Sequence, residues 1–102
     1  MIRHIVLIQF RPEVNEAAIA EIFAALPGLA ARLPGVQHCA SGRSASLEQI
    51  ERGYRHGFTI DFADWDCLAT YQADAGHKAF GGALVAHAVV GIDGILVFDL
   101  AM

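Results

Sequence analysis

From Tyr54 to Phe62 apolar or ring-bearing side chains recur at every second position: Tyr54, His56, Phe58, Ile60 and Phe62. Successive side chains of a strand point to opposite sides of a sheet, so this alternation predicts a strand over 54–62 with one strongly apolar face. The N-terminal stretch repeats the arrangement with Ile2, His4, Val6, Ile8 and Phe10, predicting a strand over 2–10. Each of these greasy rows carries one imidazole near its start. In the first strand the opposite face (Arg3, Ile5, Leu7, Gln9) is apolar at its centre as well, so both faces are expected to be covered. A weaker strand is predicted over Val36–Gly42, with His38 and Cys39, and a last one over Ile95–Leu100, which is apolar through its middle.

Between the strands the period lengthens to that of a helix. Pro12 ends the first strand, Asn15 is placed to cap a helix, and Glu16 suits its first turn. Ile19, Ile22, Phe23 and Leu26 then fall on one stripe. Pro27-Gly28 predicts an interruption, and the pattern resumes at Leu29, Ala30 and Leu33, giving a kinked or two-piece helix over 16–32 that Pro34-Gly35 stops. Residues 43–52 are polar and mixed, and read as a surface loop and the element best suited to move. Asp64 can cap a second helix with Trp65, Leu68 and Tyr71 on one side. That helix weakens at Asp74-Ala75-Gly76. A further helical stretch from His77 to about Ala88 presents Phe80, Leu84 and Val85, and Gly91–Gly94 turns into the last strand.

The order is β-α-β-β-α-β, whose simplest topology is the α+β ferredoxin-like one: a four-stranded antiparallel sheet with the helices on one face. Helices on one side leave the other face of the strands around Ile5 and Leu7 and of strand 95–100 uncovered. An apolar face of that kind marks an interface, and a two-fold homodimer packed sheet to sheet is the expected solution.

Composition narrows the partners. The 102 residues, 55% of them hydrophobic, suffice for one domain, 1–102, with its own core. Seven Lys and Arg residues are scattered in a chain of net charge −4, so there is no basic stripe for nucleic acid or an anionic membrane. Every apolar run is too short to span a bilayer, and the N-terminus lacks a secretory cleavage signal, which points to the cytoplasm. Cys39 and Cys67 show no C-x-x-C spacing and read as small hydrophobes.

The chemistry-bearing side chains are imidazoles and one tyrosine. A break at Gly76 could bring His77 beside Tyr71, pairing a base able to take a proton next to a carbonyl with a hydroxyl able to hold the resulting enolate. Alternatively His77 merely caps a helix, and Tyr71 is core with its hydroxyl at the surface. His4 and His56 share a sheet face, either as pocket groups or as buried imidazoles satisfied by a carbonyl or carboxylate. Three imidazoles, His4, His56 and His77, could also hold zinc, but none of the short ligand spacings is present, and no metal is assigned. Phe23, Phe58 and Phe80 are core residues that could line an apolar ligand cavity. His38 and His87 are assigned nothing.

Taken in order, Ile2-Arg3-His4-Ile5-Val6-Leu7, Pro34-Gly35, Gly53-Tyr54-x-His56, Tyr71, Gly76-His77-x-x-Phe80 and Val97-Phe98-Asp99 resemble the stress-responsive α/β-barrel (Dabb) family over nearly the whole chain. The resemblance implies a ferredoxin-like protomer whose sheet joins a second copy to form a dimeric α/β barrel. It further implies a pocket between sheet and helices, as in a plant polyketide cyclase that closes its substrate by aldol condensation without a cofactor. On that resemblance His77 and Tyr71 are the catalytic candidates and His4 and His56 substrate-binding ones, to which the apolar-cavity reading adds Phe58, Phe80 and Phe23. The family's first-helix tyrosine has no counterpart among Phe23, Leu26 and their neighbours, and Asp74-Ala75-Gly76 stands where a His-Pro-Ala run is common. The expected function is cyclase or isomerase chemistry on a small apolar, aromatic or polyketide-like metabolite. The alternatives are a ligand-binding dimer without turnover and a purely structural dimer.

Overall fold

A computed structural model describes residues 1–102. The elements run β1 (Ile2–Ile8), α1 (Glu16–Phe23), α2 (Leu26–Arg32), β2 (Val36–Arg43), β3 (His56–Phe62), α3 (Trp65–Ala73), α4 (Ala75–His87), a 3-10 turn (Gly91–Gly94) and β4 (Ile95–Ala101). The strands form one antiparallel sheet in the order β2-β3-β1-β4, the ferredoxin-like topology expected from the pattern. Alternation decides which residues meet the helices. Ile2, His4, Val6 and Ile8 of β1 and His56, Phe58, Ile60 and Phe62 of β3 are all buried beneath them. Phe23, Leu26 and Leu29 from the first helical pair and Leu68, Tyr71, Phe80 and Leu84 from the second complete the core.

Local chemistry places several boundaries differently from the pattern. β1 ends at Ile8 rather than 10, because Gln9 turns its backbone to Gly94 and Val89, and Phe10 makes only a single bridge to Ala88. β3 begins at His56, so Tyr54 lies outside it, its hydroxyl donating to the carbonyl of Asp93. The helix over 16–32 does divide, but at Ala24-Ala25. Pro27 instead occupies the first turn of α2, where a missing N–H costs nothing because that donor has no helical acceptor. Trp65 is exposed rather than on the buried side of α3. It sits in the first turn directly after the capping Asp64, whose carboxylate accepts from the Cys67 N–H.

α4 starts at Ala75, not His77, because Asp74 serves two helices at once. It ends α3, and its carboxylate accepts from the N–H groups of Gly76 and His77. Arg32 at the end of α2 grips the same carboxylate through two nitrogens, at 2.8 and 3.2 Å. The guanidinium and these N–H donors hold the Asp74 carboxyl down at about 2. The helix junction beside the candidate site is thereby fixed.

Candidate functional site

The two histidines on the helix-facing side of the sheet lie at opposite ends of it. His4 pairs with Ile60, whereas His56 pairs with Ile8. Four residues of β3 separate the two levels, roughly 13 Å at 3.3 Å per residue. The imidazoles of His4, His56 and His77 therefore do not converge, and the three-histidine metal site considered from the sequence is not assembled. No group of three or more His, Cys, Asp or Glu side chains is placed to hold a metal ion.

At the His4 end, the ring is buried and its Nδ1 lies 2.5 Å from an Asp99 carboxylate oxygen on the neighbouring strand β4. The register that sets His4 against Asp99 creates this pair. A carboxylate can only accept, so Nδ1 carries the proton in this contact. Tyr71 packs edge-on to His4 with ring centroids 5.8 Å apart, and His77 lies over Tyr71 at 4.2 Å. Tyr71 comes from α3 and His77 from the first turn of α4, so the corner at Asp74 brings the two rings together. His77 is not the helix cap, and the Tyr71 hydroxyl is not at the surface. The Tyr71 oxygen and His77 Nδ1 are both buried without a hydrogen-bond partner.

That absence of partners is unusual, since a buried donor or acceptor left unmatched costs about 1–3 kcal/mol. Burial raises the Tyr71 pKa well above its ordinary value, so the phenol remains a donor. Burial also lowers His77 below the ordinary imidazole value, helped by neighbouring His4 and Lys78 and opposed by Asp74. The result is a neutral base beside a protonated phenol. Both border a cavity of about 380 Å³, whose wall includes His4, Val6, Phe58 and Phe80. Larger depressions of about 480 Å³ and 520 Å³ lie over the 43–55 loop and between α1 and α4. Neither holds an unpartnered buried polar side-chain atom.

Of the residues singled out in the sequence, the cavity thus gathers His4, Phe58, Tyr71, His77 and Phe80, and excludes His56 and Phe23. Phe23 is core, packed edge-on against Phe10 and Phe58. His56 sits among Phe10 and the N-terminal turn of α1, its Nε2 held at 3.0 Å from both carboxylate oxygens of Glu16. Glu16 is also bound by Arg43 at 2.6 Å. Hydrogen bonds from His56 and then Arg43 lower the Glu16 pKa. The sequence reading missed Asp99 as the partner of His4. The available signal was its position: an acid two residues from Val97 on the strand face that pairs against His4.

Comparison with known proteins places this geometry in context. The chain is 24% identical to olivetolic acid cyclase of Cannabis sativa over 80 residues, 78% of this chain and 79% of that protein. It is 37% identical to a dimeric ferredoxin-like protein from Jannaschia sp., with a TM-score of 0.92, covering 99% of this chain and 98% of that one. A hydroxynitrile lyase from Passiflora edulis shares the fold alone, at 16% identity and a TM-score of 0.83 over 99% of this chain and 92% of its own. The sequence model of the stress-responsive A/B barrel domain matches residues 2–102, and the chain belongs to that family.

Proposed function

We propose that the protein is a cytoplasmic homodimer, each protomer of which binds a small apolar, aromatic or polyketide-like metabolite in the 380 Å³ cavity and acts on it without a cofactor, as a cyclase or isomerase. The observation that carries this reading is that Tyr71 and His77, whose Oη and Nδ1 are buried without partners, line one cavity together with Phe58 and Phe80. A carbonyl ligand supplies what both atoms lack. Neutral His77 takes the proton from the carbon next to a ketone, and the Tyr71 hydroxyl donates to the oxygen that becomes the enolate. The enolate carbon attacks a second carbonyl carbon of the same molecule, forming the C–C bond. The new alkoxide then takes the proton back from the His77 imidazolium, so the ring closure is an isomerisation. His4, its Nδ1–H held by Asp99, adds a polar ring to the same cavity wall. Similarity to a named cyclase supports the reaction class.

The uncovered sheet face, where Leu7, Leu96, Phe98 and Leu100 are exposed, supports the homodimer. The dimeric relative from Jannaschia supports it. The test of the site is a titration of histidine ring protons by NMR against a panel of aromatic and polyketide-like ligands, followed by a turnover assay on any ligand that binds. The expected result is that His4 and His77 shift together and His56 stays still. If no ligand moves His4 or His77, the site reading fails. If one does but is never converted, the protein is a binding module and the enzymatic half of the reading fails.

A further inference from the structure

The cavity of about 380 Å³ has an electrical character that the proposed reaction does not use. Gln72 and Lys78 line it beside Tyr71 and His77. One corner of the fold builds both pairs: Gln72 follows Tyr71 in the last turn of α3, and Lys78 follows His77 at the start of α4. Lys78 is the only permanently charged side chain on the wall, and no aspartate or glutamate joins it. In a chain of net charge −4, the fixed charge of this wall is therefore positive. The ammonium is near enough to help lower the His77 pKa.

The fold gives Lys78 no partner. Of the seven Lys and Arg residues, Arg3, Arg11, Arg32 and Arg43 are paired with carboxylates, and of the remaining three only Lys78 lines this cavity. On its own helix face the neighbouring positions are Asp74, Ala75, Gly81 and Gly82, so Asp74 is the one acid within reach. Arg32 grips that carboxylate, which also accepts from the N–H groups of Gly76 and His77. Asp99 is likewise spent on His4. A cation at the start of a helix also opposes the helix dipole, so α4 gains nothing from it.

The other end of the cavity is apolar. Val85 lies two turns along α4 from Lys78, roughly 10 Å away on the same face, and Ile92 and Ile95 line the wall beyond it. A ligand that matches this wall is charged at one end and greasy at the other. One ammonium and one amide suit a single carboxylate. A phosphate would call for further donors, and the N–H groups of Gly76 and His77 already serve Asp74. We infer that Lys78 and Gln72 form a carboxylate-binding subsite, and that the ligand is an oxo acid. Its carbonyl lies at Tyr71 and His77, its carboxylate at Lys78 and Gln72, and its apolar part toward Val85 and Ile92. The inference rests on the cavity reading above and goes further, to the charge of the ligand and its direction in the cavity.

The test compares 3-benzoylpropionate, a stable aromatic oxo acid, with its methyl ester, which keeps the ring and the ketone without the charge. Affinities are read by NMR from the ring protons of His4 and His77 in the wild type, Lys78→Gln and Gln72→Leu. Arg55→Gln serves as a control, removing an equal charge at the His56 end. Lys78 and Gln72 are exposed and Lys78 is unpaired, so their substitution leaves the fold intact. The expected result is that the wild type binds the acid about fivefold tighter than the ester. Lys78→Gln brings the acid down to the affinity of the ester, Gln72→Leu weakens the acid about twofold, and Arg55→Gln keeps the preference. Equal affinities in the wild type overturn the inference, as does a preference that survives Lys78→Gln or falls as much with Arg55→Gln. In those cases the cavity reading stands, because both ligands still move His77. If neither ligand moves His4 or His77, the cavity reading falls and this inference with it.

Discussion

The helix-facing side of the sheet carries two histidines of similar burial, each bonded to a carboxylate, and their surroundings could hardly differ more. His56 is tied down through one nitrogen: Glu16 meets Nε2 with both oxygens, Arg43 binds Glu16 in turn, and Phe10 packs on the ring. His4 uses Nδ1 for Asp99, and its ring lines a cavity where Tyr71 and His77 each have a buried atom without a partner. What sets the two ends apart is the bonding capacity left over in the neighbours, Tyr71 and His77 at one end and none at the other. Burial and a carboxylate neighbour do not suffice, since both sites have them.

The strongest way to break this comparison is to remove His77. His77→Gln should lower turnover of a bound ligand by about 10²–10⁴-fold, the usual contribution of a positioned base, and Glu16→Gln at the other end should change it less than about twofold. Steady-state rates measured on the two variants side by side decide the point. Next in size, Tyr71→Phe should cost at least about tenfold in turnover while leaving thermal stability unchanged or raised by up to about 1 kcal/mol, because the hydroxyl it deletes has no partner. Loss of stability there would show that the phenol is structural. His56→Ala should do the reverse, costing about 2 kcal/mol in urea unfolding through lost core volume without altering ligand binding.

The pH dependence separates the ends more gently. His77 must be neutral to act, and its pKa is lowered, chiefly by burial and next by His4 and Lys78, with Asp74 pulling the other way. Activity should therefore fall only on the acid side, with a midpoint below the ordinary value of 6.5. No alkaline limb from Tyr71 should appear up to its ordinary value of 10, since burial raises it. The unfolded chain takes up the His77 proton first, so stability declines as pH falls below 6.5. The smallest effect comes from Asp74. The stability it contributes is complete above its ordinary value of 3.8 and is lost as pH falls toward about 2. In Asp74→Asn that acid-side loss should shrink, which an acid titration followed by circular dichroism will show.

Much of this was readable along the chain. Alternation in 2–8 and 56–62 gave the sheet, and an apolar second face at Ile5 and Leu7 marked the uncovered side. The family resemblance, rather than periodicity, pointed to Tyr71 and His77. What periodicity cannot supply is distance along a paired strand. His4 and His56 share a face in any ferredoxin-like sheet, but only the register separates them by four positions and sets Asp99, not Glu16, against His4. Proline was misplaced for a related reason. Pro27 both disfavours the turn before it and suits a first turn, and its neighbours' packing decides which property shows.

The doubled cap at Asp74 carries a last consequence, for traffic into and out of the cavity. A lid needs slack in the chain that carries it, and the junction between α3 and α4 has none: a single residue joins them, bolted to α2 by Arg32. The junction thus gives α4 no slack of its own with which to swing aside. Passage falls to the apolar rim at Val85, Ile92 and Val97, all of them exposed side chains, whose rotamers turn over in picoseconds to nanoseconds. A ligand bound as proposed would meet a doorway without a door, and its dwell time would be set by how well it fits inside.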